Sequence, residues 1–188
     1  MDYNQLIEIL LSENVYENLK KNETEIFSLI PEFKVCKGFD QKNSWHVYDV
    51  YEHILHVVSG VEANRILRIV ALFHDTGKPL AFKLDADGIG HFFGHWEHSA
   101  DIFSSYAAKF NLTATEIKLI DRLIFYHDVN IDKMTDDDIF KMINEIGADY
   151  ITYLFAIKRA DLLAQASQFH GLLSNIQKQE ERILSMIK

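Results

Sequence analysis

Four stretches of this chain share one arrangement: an apolar stripe at helical spacing with a histidine or an aspartate in line with it. Val50, His53 and Val57 stand at i, i+3 and i+7, the positions that line one face of an α-helix. Leu67, Val70 and His74 repeat that spacing, and Ile117, Ile120, Ile124 and His127 extend it. Leu154, Ile157, Asp161 and Ala164 carry it with a carboxylate. Each stripe must be buried, and each takes an ionisable group inward with it, so the chain is constrained to pack several helices around a polar centre. One such residue is ordinarily a core side chain satisfied by backbone or water. Four together need a common partner, because an isolated buried carboxylate is costly without a cation or several donors.

The His74-Asp75 doublet, in Ala71-Leu72-Phe73-His74-Asp75-Thr76-Gly77-Lys78-Pro79, sharpens that requirement. A divalent cation satisfies a neutral imidazole and a carboxylate at once. With His95 added, the candidate metal ligands are His53, His74, Asp75, His95, His127 and Asp161. Imidazole and carboxylate without thiolate suit manganese, iron, cobalt, nickel or zinc, with magnesium also admitted, better than calcium. Six side chains exceed the needs of one tetrahedral site, and a carboxylate such as Asp75 can bridge. Two divalent ions are therefore expected, and a pair of ions suits in-line attack on phosphorus.

The rest of the pattern is helical. Leu6, Ile9 and Leu10 open an amphipathic helix, and a short one covers about 23–29. Further helices are predicted over about 96–110, 113–127, 135–146, 149–168 and 172–187. Thr113 and Glu116 form a capping-box pattern, Thr135 is a cap followed by three acids, and Gly147 is a C-terminal stop. Four of the eight glycines (Gly77, Gly88, Gly90 and Gly94) fall in one segment, which marks a long irregular connection between the doublet and His95. No run alternates as a strand does. The expected fold is all-α, a single helical domain over residues 1–188.

Net charge is −9, which disfavours a general nucleic-acid binder, because affinity for a polyphosphate comes largely from Lys and Arg. A single cysteine, Cys36, excludes an internal disulfide and a cysteine-rich zinc site. No stretch approaches the roughly 20 apolar residues of a membrane span, and the first residues lack a basic signal-peptide region. A cytoplasmic location is expected, with no membrane partner.

Other polar residues divide between the site and the surface. In His91-Phe92-Phe93-Gly94-His95-Trp96-Glu97-His98, His95 is the better ligand, while His91 is expected to face substrate or to support a ligand, and His98 is read equally as a helix-surface residue or as one that bears on the second metal position. His56 is read as partly exposed, His170 as a surface residue, Asp128 as a helix-end or turn residue, and Asp136, Asp137 and Asp138 as a helix N-terminus. Lys78, four residues after His74, would offer a cation to a phosphoryl oxygen. The spacing contains no Gly-x-x-x-x-Gly-Lys-Ser/Thr, Gly-x-Gly-x-x-Gly, His-Glu-x-x-His or Gly-x-Ser-x-Gly.

The order His53, His74-Asp75, Asp161 resembles the HD-domain superfamily of metal-dependent phosphohydrolases, and His95 and His127 match its two-metal variant. Ile30-Pro31-Glu32-Phe33, Phe39-Asp40-Gln41 and His46-Val47-Tyr48-Asp49-Val50-Tyr51-Glu52-His53 look like the HD domain at the C-terminal end of some bacterial CCA-adding tRNA nucleotidyltransferases. His74 to Pro79, His91 to Glu97 and Arg159-Ala160-Asp161-Leu162-Leu163-Ala164-Gln165 continue that likeness, which covers about residues 27–168. The resemblance implies an HD-domain fold with phosphatase, nucleotidase or 2′,3′-cyclic phosphodiesterase activity. It implies one ion on His53, His74, Asp75 and Asp161, and a second on His95 and His127 with Asp75 bridging. The expected catalytic residues are Asp75 and Lys78; the expected substrate contacts are Lys78, His91 and Arg159. These 188 residues hold no nucleotidyltransferase domain, so the expected substrate is a nucleotide or related small phosphoester, with tRNA not favoured. A nucleotide-binding or regulatory module with little catalysis is the alternative.

Overall fold

Local capping decides where the helices of the site begin. In this computed structural model, which describes residues 1–187, Asp49 accepts a hydrogen bond from the Glu52 backbone and opens α5 (Val50–Gly60). Asn64 accepts from Ile66 and Leu67 to open α6 (Arg65–Phe73). Thr113 and Thr135 form reciprocal capping boxes with Glu116 and Asp138 at α9 (Ala114–Tyr126) and α10 (Asp136–Ile146). Gly147 ends α10 at a φ of 96°, as its position predicts.

Helix α6 is the axis of the molecule. All its residues from Leu67 to Phe73 are buried, and it packs against α5, α9 and α11 (Ile151–Leu163). An N-terminal group of α1 (Tyr3–Leu11), α2 (Val15–Lys21), α3 (Glu23–Leu29) and α4 (Glu32–Cys36) closes one side. After the doublet come the single turn α7 (Lys78–Ala81), a hairpin of β1 (Lys83–Leu84) and β2 (Gly90–His91), and α8 (His95–Tyr106). The C-terminal α12 (Leu173–Ile187) packs on α11. A continuous core of Phe33, Tyr51, Phe73, Phe103, Phe110 and Phe155 with aliphatic neighbours fills the interior. The fold is all-α, as the periodicity implies.

Three expectations shift in detail. The hairpin was not expected; its strands have two residues each, too few for alternation to register. Its turn is built locally, by the Asp85 carboxylate accepting from the backbones of Asp87 and Ile89 and by Gly88 at a φ of 77°. The helix expected over 149–168 stops at Leu163, and the chain turns back so that the Ala166 backbone N–H donates to the Trp45 carbonyl. The helix expected over 96–110 becomes 3₁₀ from Ala107 to Phe110. No helix among the described residues is long and apolar enough to cross a membrane.

Candidate metal centre

Six side chains from five helices or their ends meet beneath one pocket. His53 lies on α5, His74 caps α6 with Asp75 following, His95 opens α8, His127 caps α9, and Asp161 lies in the last turns of α11. His53, His74, Asp75, His95 and His127 are buried, and Asp161 is nearly so. All six expected ligands are therefore together. They form two groups that could each hold an ion, His53, His74, Asp75 and Asp161 in one, and Asp75, His95 and His127 in the other. The two carboxylate oxygens of Asp75 divide between them. Oδ2 stands 3.2 Å from His53 Nε2 and 3.4 Å from His74 Nε2; Oδ1 stands 3.2 Å from His95 Nε2 and 3.6 Å from His127 Nε2.

The hydrogen bonding of the imidazoles tests whether a cation belongs there. The Nδ1 atoms of His74, His95 and His127 lie 2.7, 2.8 and 2.6 Å from the carbonyl oxygens of Ala71, Phe92 and Ile124. A carbonyl only accepts, so each Nδ1 carries the proton and each neutral ring turns the lone pair of Nε2 toward Asp75. His95 Nε2 and His127 Nε2 then face one another at 3.2 Å as two lone pairs. That contact is repulsive unless a cation or an added proton lies between them. His53 Nε2, His74 Nε2 and Asp75 Oδ2 are buried with no aligned hydrogen-bond partner, although His53 Nε2 is only 2.9 Å from Asp161 Oδ1. Ligands about 2.1 Å from one ion stand roughly 3.0–3.4 Å apart, which is the spacing of most of these contacts. The residues fit divalent cations.

Electrostatics prepares the carboxylates for that role. Burial alone would raise the pKa of Asp75, but the Lys78 ammonium beside it holds it well below the usual range. Burial also opposes ionisation of Asp161, and His53 outweighs it and holds that carboxyl low. Burial pushes His53 down, whereas Asp161 and Asp75 together raise it to about 9. In the metal-free protein at neutral pH, His53 therefore carries a proton that an ion must displace. Loading the first ion should release close to one proton per ion at pH 7, and apparent affinity should climb about tenfold per pH unit until pH nears 9. Both aspartates are already ionised and add no proton. Calorimetric titrations in two buffers of different ionisation enthalpy check this; identical heats in both would exclude a protonated His53.

The pocket above the centre has a volume of about 460 Å³ and is lined by Asp75, Lys78, His95, His127 and Asp161 at its floor. Trp45, Phe92, Phe93 and Trp96 are among its walls. Lys78 is buried, with Nζ 2.7 Å from Asp75 Oδ2 and donating to Gln41 Oε1 at 2.9 Å. His91 lines the rim, half exposed, with Nε2 2.9 Å from Asp85 Oδ2. Arg159 is a correction: it is absent from the described lining, and Nη1 pairs with Glu180 on α12 at 2.6 Å. Two residues along a helix is a rotation of about 200°, so Arg159 points away from the side that Asp161 occupies. His56 is partly exposed, as expected; His98 is exposed on α8, and His170, expected at the surface, is only partly exposed. Asp128 does follow the end of α9, but it also lines the pocket.

Sequence spacing missed His46 and Gln41. His46 lies in the pocket wall with Nε2 3.5 Å from Lys78 Nζ, and burial and the Lys78 charge lower its pKa to about 3, so it is a neutral ring. Gln41 is buried, donating to the Tyr48 carbonyl and accepting from Lys78. Both belong to an irregular segment where no period marks an inward face.

No family model matches the chain. It is similar to the A-adding tRNA nucleotidyltransferase of Deinococcus radiodurans, with 29% identity over 108 residues, 54% of this chain and 25% of that protein. The chain thus spans about a quarter of the length of this relative.

Proposed function

We propose that this chain is a metal-dependent phosphohydrolase of the HD-domain kind, acting on a nucleotide or related small phosphoester. The observation that carries the reading is one buried carboxylate, Asp75, turning an oxygen to each of two ligand groups at the floor of an open pocket. His53, His74, Asp75 and Asp161 would hold one divalent ion, and Asp75, His95 and His127 a second. Ions in such a site supply Lewis acidity toward a phosphoryl oxygen and a nucleophile at neutral pH. The protein supplies position and charge. Lys78 brings its ammonium to the same floor, where it can turn from Asp75 to a phosphoryl oxygen. His91, held by Asp85, stands at the rim where a leaving group would exit. Neutral His46 and the amide of Gln41 keep Lys78 from drifting into solvent. A pocket of about 460 Å³ is of a size to suit a mononucleotide, and the overall charge of −9 favours a small substrate over tRNA.

Metal-stripped protein reloaded with Mn²⁺, Co²⁺, Ni²⁺, Zn²⁺ or Mg²⁺ should release phosphate from nucleoside monophosphates or p-nitrophenyl phosphate, or open 2′,3′-cyclic nucleotides. Tight nucleotide binding without turnover under every ion would replace this reading with a regulatory binding module. Lys78→Met separates the roles within the site. Turnover should fall about 100-fold, while ion affinity should hold or rise, because a competing positive charge next to Asp75 has gone. Steady-state rates and calorimetry on one preparation decide it; unchanged kcat/KM would remove Lys78 from the reaction.

A further inference from the structure

Lys158 lies on α11 one turn before Asp161, and its ammonium donates to the carbonyl oxygens of His127 and Val129, each at 2.9 Å. No carboxylate among the described residues stands within ion-pair distance of it. Both carbonyls lie just beyond the end of α9, where backbone oxygens have no intrahelical partner and where a cation is favoured. The ring of His127 is oriented by the same turn, through its Nδ1–H bond to the Ile124 carbonyl. Lys158 also lines a side pocket of about 240 Å³ that shares His127, Asp128, Asp161 and Gln165 with the main one.

We infer that Lys158 is a positioning residue, bracing the helix that carries Asp161 against the turn that carries His127. Asp161 belongs to the first ligand group and His127 to the second, so this brace sets how the second group stands relative to the first. A neutral side chain could not replace it well: two adjacent carbonyls would be left short of donors, and the turn would be free to rotate the imidazole out of line. The inference rests on the two-group metal reading proposed above, but not on hydrolysis.

The test is ion binding by the full chain, stripped and titrated with Mn²⁺. The unaltered protein should bind two ions and give the exchange-coupled magnetic resonance spectrum of a pair. In Lys158→Met, affinity for the second ion should drop 10- to 100-fold, first-ion affinity should stay within about twofold, and the spectrum should become that of a single ion. His127→Ala should give the same spectrum, and Lys158→Arg should restore part of the second affinity. Should the methionine variant fail to fold, Lys158→Gln, which keeps a donor, is judged by the same criteria. Equal weakening of both ions, or of neither, overturns the inference. So does intact ion binding with a raised KM, which would make Lys158 a substrate contact. A single ion on the unaltered protein overturns it too, while phosphate release in that case would leave the phosphohydrolase reading standing.

Discussion

Replacing Asp75 with asparagine is expected to empty both ion sites and to lower turnover at least a thousandfold. The substitution preserves shape but removes the one negative charge facing both ligand groups. What remains in the second group is two neutral imidazoles, and in the first two imidazoles and Asp161, an arrangement too poor in charge to retain hard divalent ions. Loss of an outer partner of a metal ligand typically costs about 10- to 100-fold in affinity, and a ligand shared by two ions should cost more. The fold should survive, because asparagine can still accept from Lys78, so its ammonium is not left wholly unpaired. Metal content after dialysis, phosphate release and far-ultraviolet circular dichroism check the three parts. A variant with two ions and ordinary turnover would end the phosphohydrolase reading.

Why the six ligands were legible, while others were not, follows from regularity. His53, His74, His127 and Asp161 sit at helical spacing from buried aliphatic residues, so burying the stripe buries the ligand. The doublet adds Asp75 because it follows His74 at the end of α6. Arg159 shows the same rule being neglected. Its place two residues before Asp161 already turns it toward the opposite face, and Glu180 occupies it there. Gln41 and His46 obey no such period. Their positions come from tertiary contacts, of Gln41 and His46 with Lys78 and of the Gly90 backbone N–H with the Lys42 carbonyl, which link residues far apart in the chain. The brace at Lys158 was equally hidden, since its partners are carbonyls, and a sequence shows nothing of which carbonyls a helix end leaves exposed. Short α2, α4 and α7 escaped because one or two turns carry too few positions for a stripe.

Gly77→Ala should be severely damaging for a single added methyl group beside the metal ligands. Gly77 has ordinary helical torsions, a φ of −79° and a ψ of −10°, so alanine meets no backbone penalty there. The obstacle is space. A Cβ would lie 2.4 Å from the His95 carbonyl oxygen, 2.6 Å from the Ser99 nitrogen and 2.7 Å from the His98 Cβ. Two of these are main-chain atoms of α8, and no side-chain rotation relieves them. Either α8 withdraws or the turn after Asp75 does, and both motions separate His95 from Asp75 and loosen the bond from the Gly77 N–H to Ser99 Oγ. A cost of about 3 kcal/mol or more is expected, lowering Tm by roughly 6–12 °C, together with weakened binding of the second ion. Gly88→Ala provides the contrast: its φ of 77° is strained for alanine, but nothing lies within 4 Å of the new methyl. That strain should cost about 1–2 kcal/mol without touching ion affinity. Thermal melts and Mn²⁺ titrations of the two variants side by side decide the matter. Equal losses in both, or a Gly77→Ala protein melting within about 2 °C of the original, would mean that the seam between the doublet and α8 is looser than these distances require.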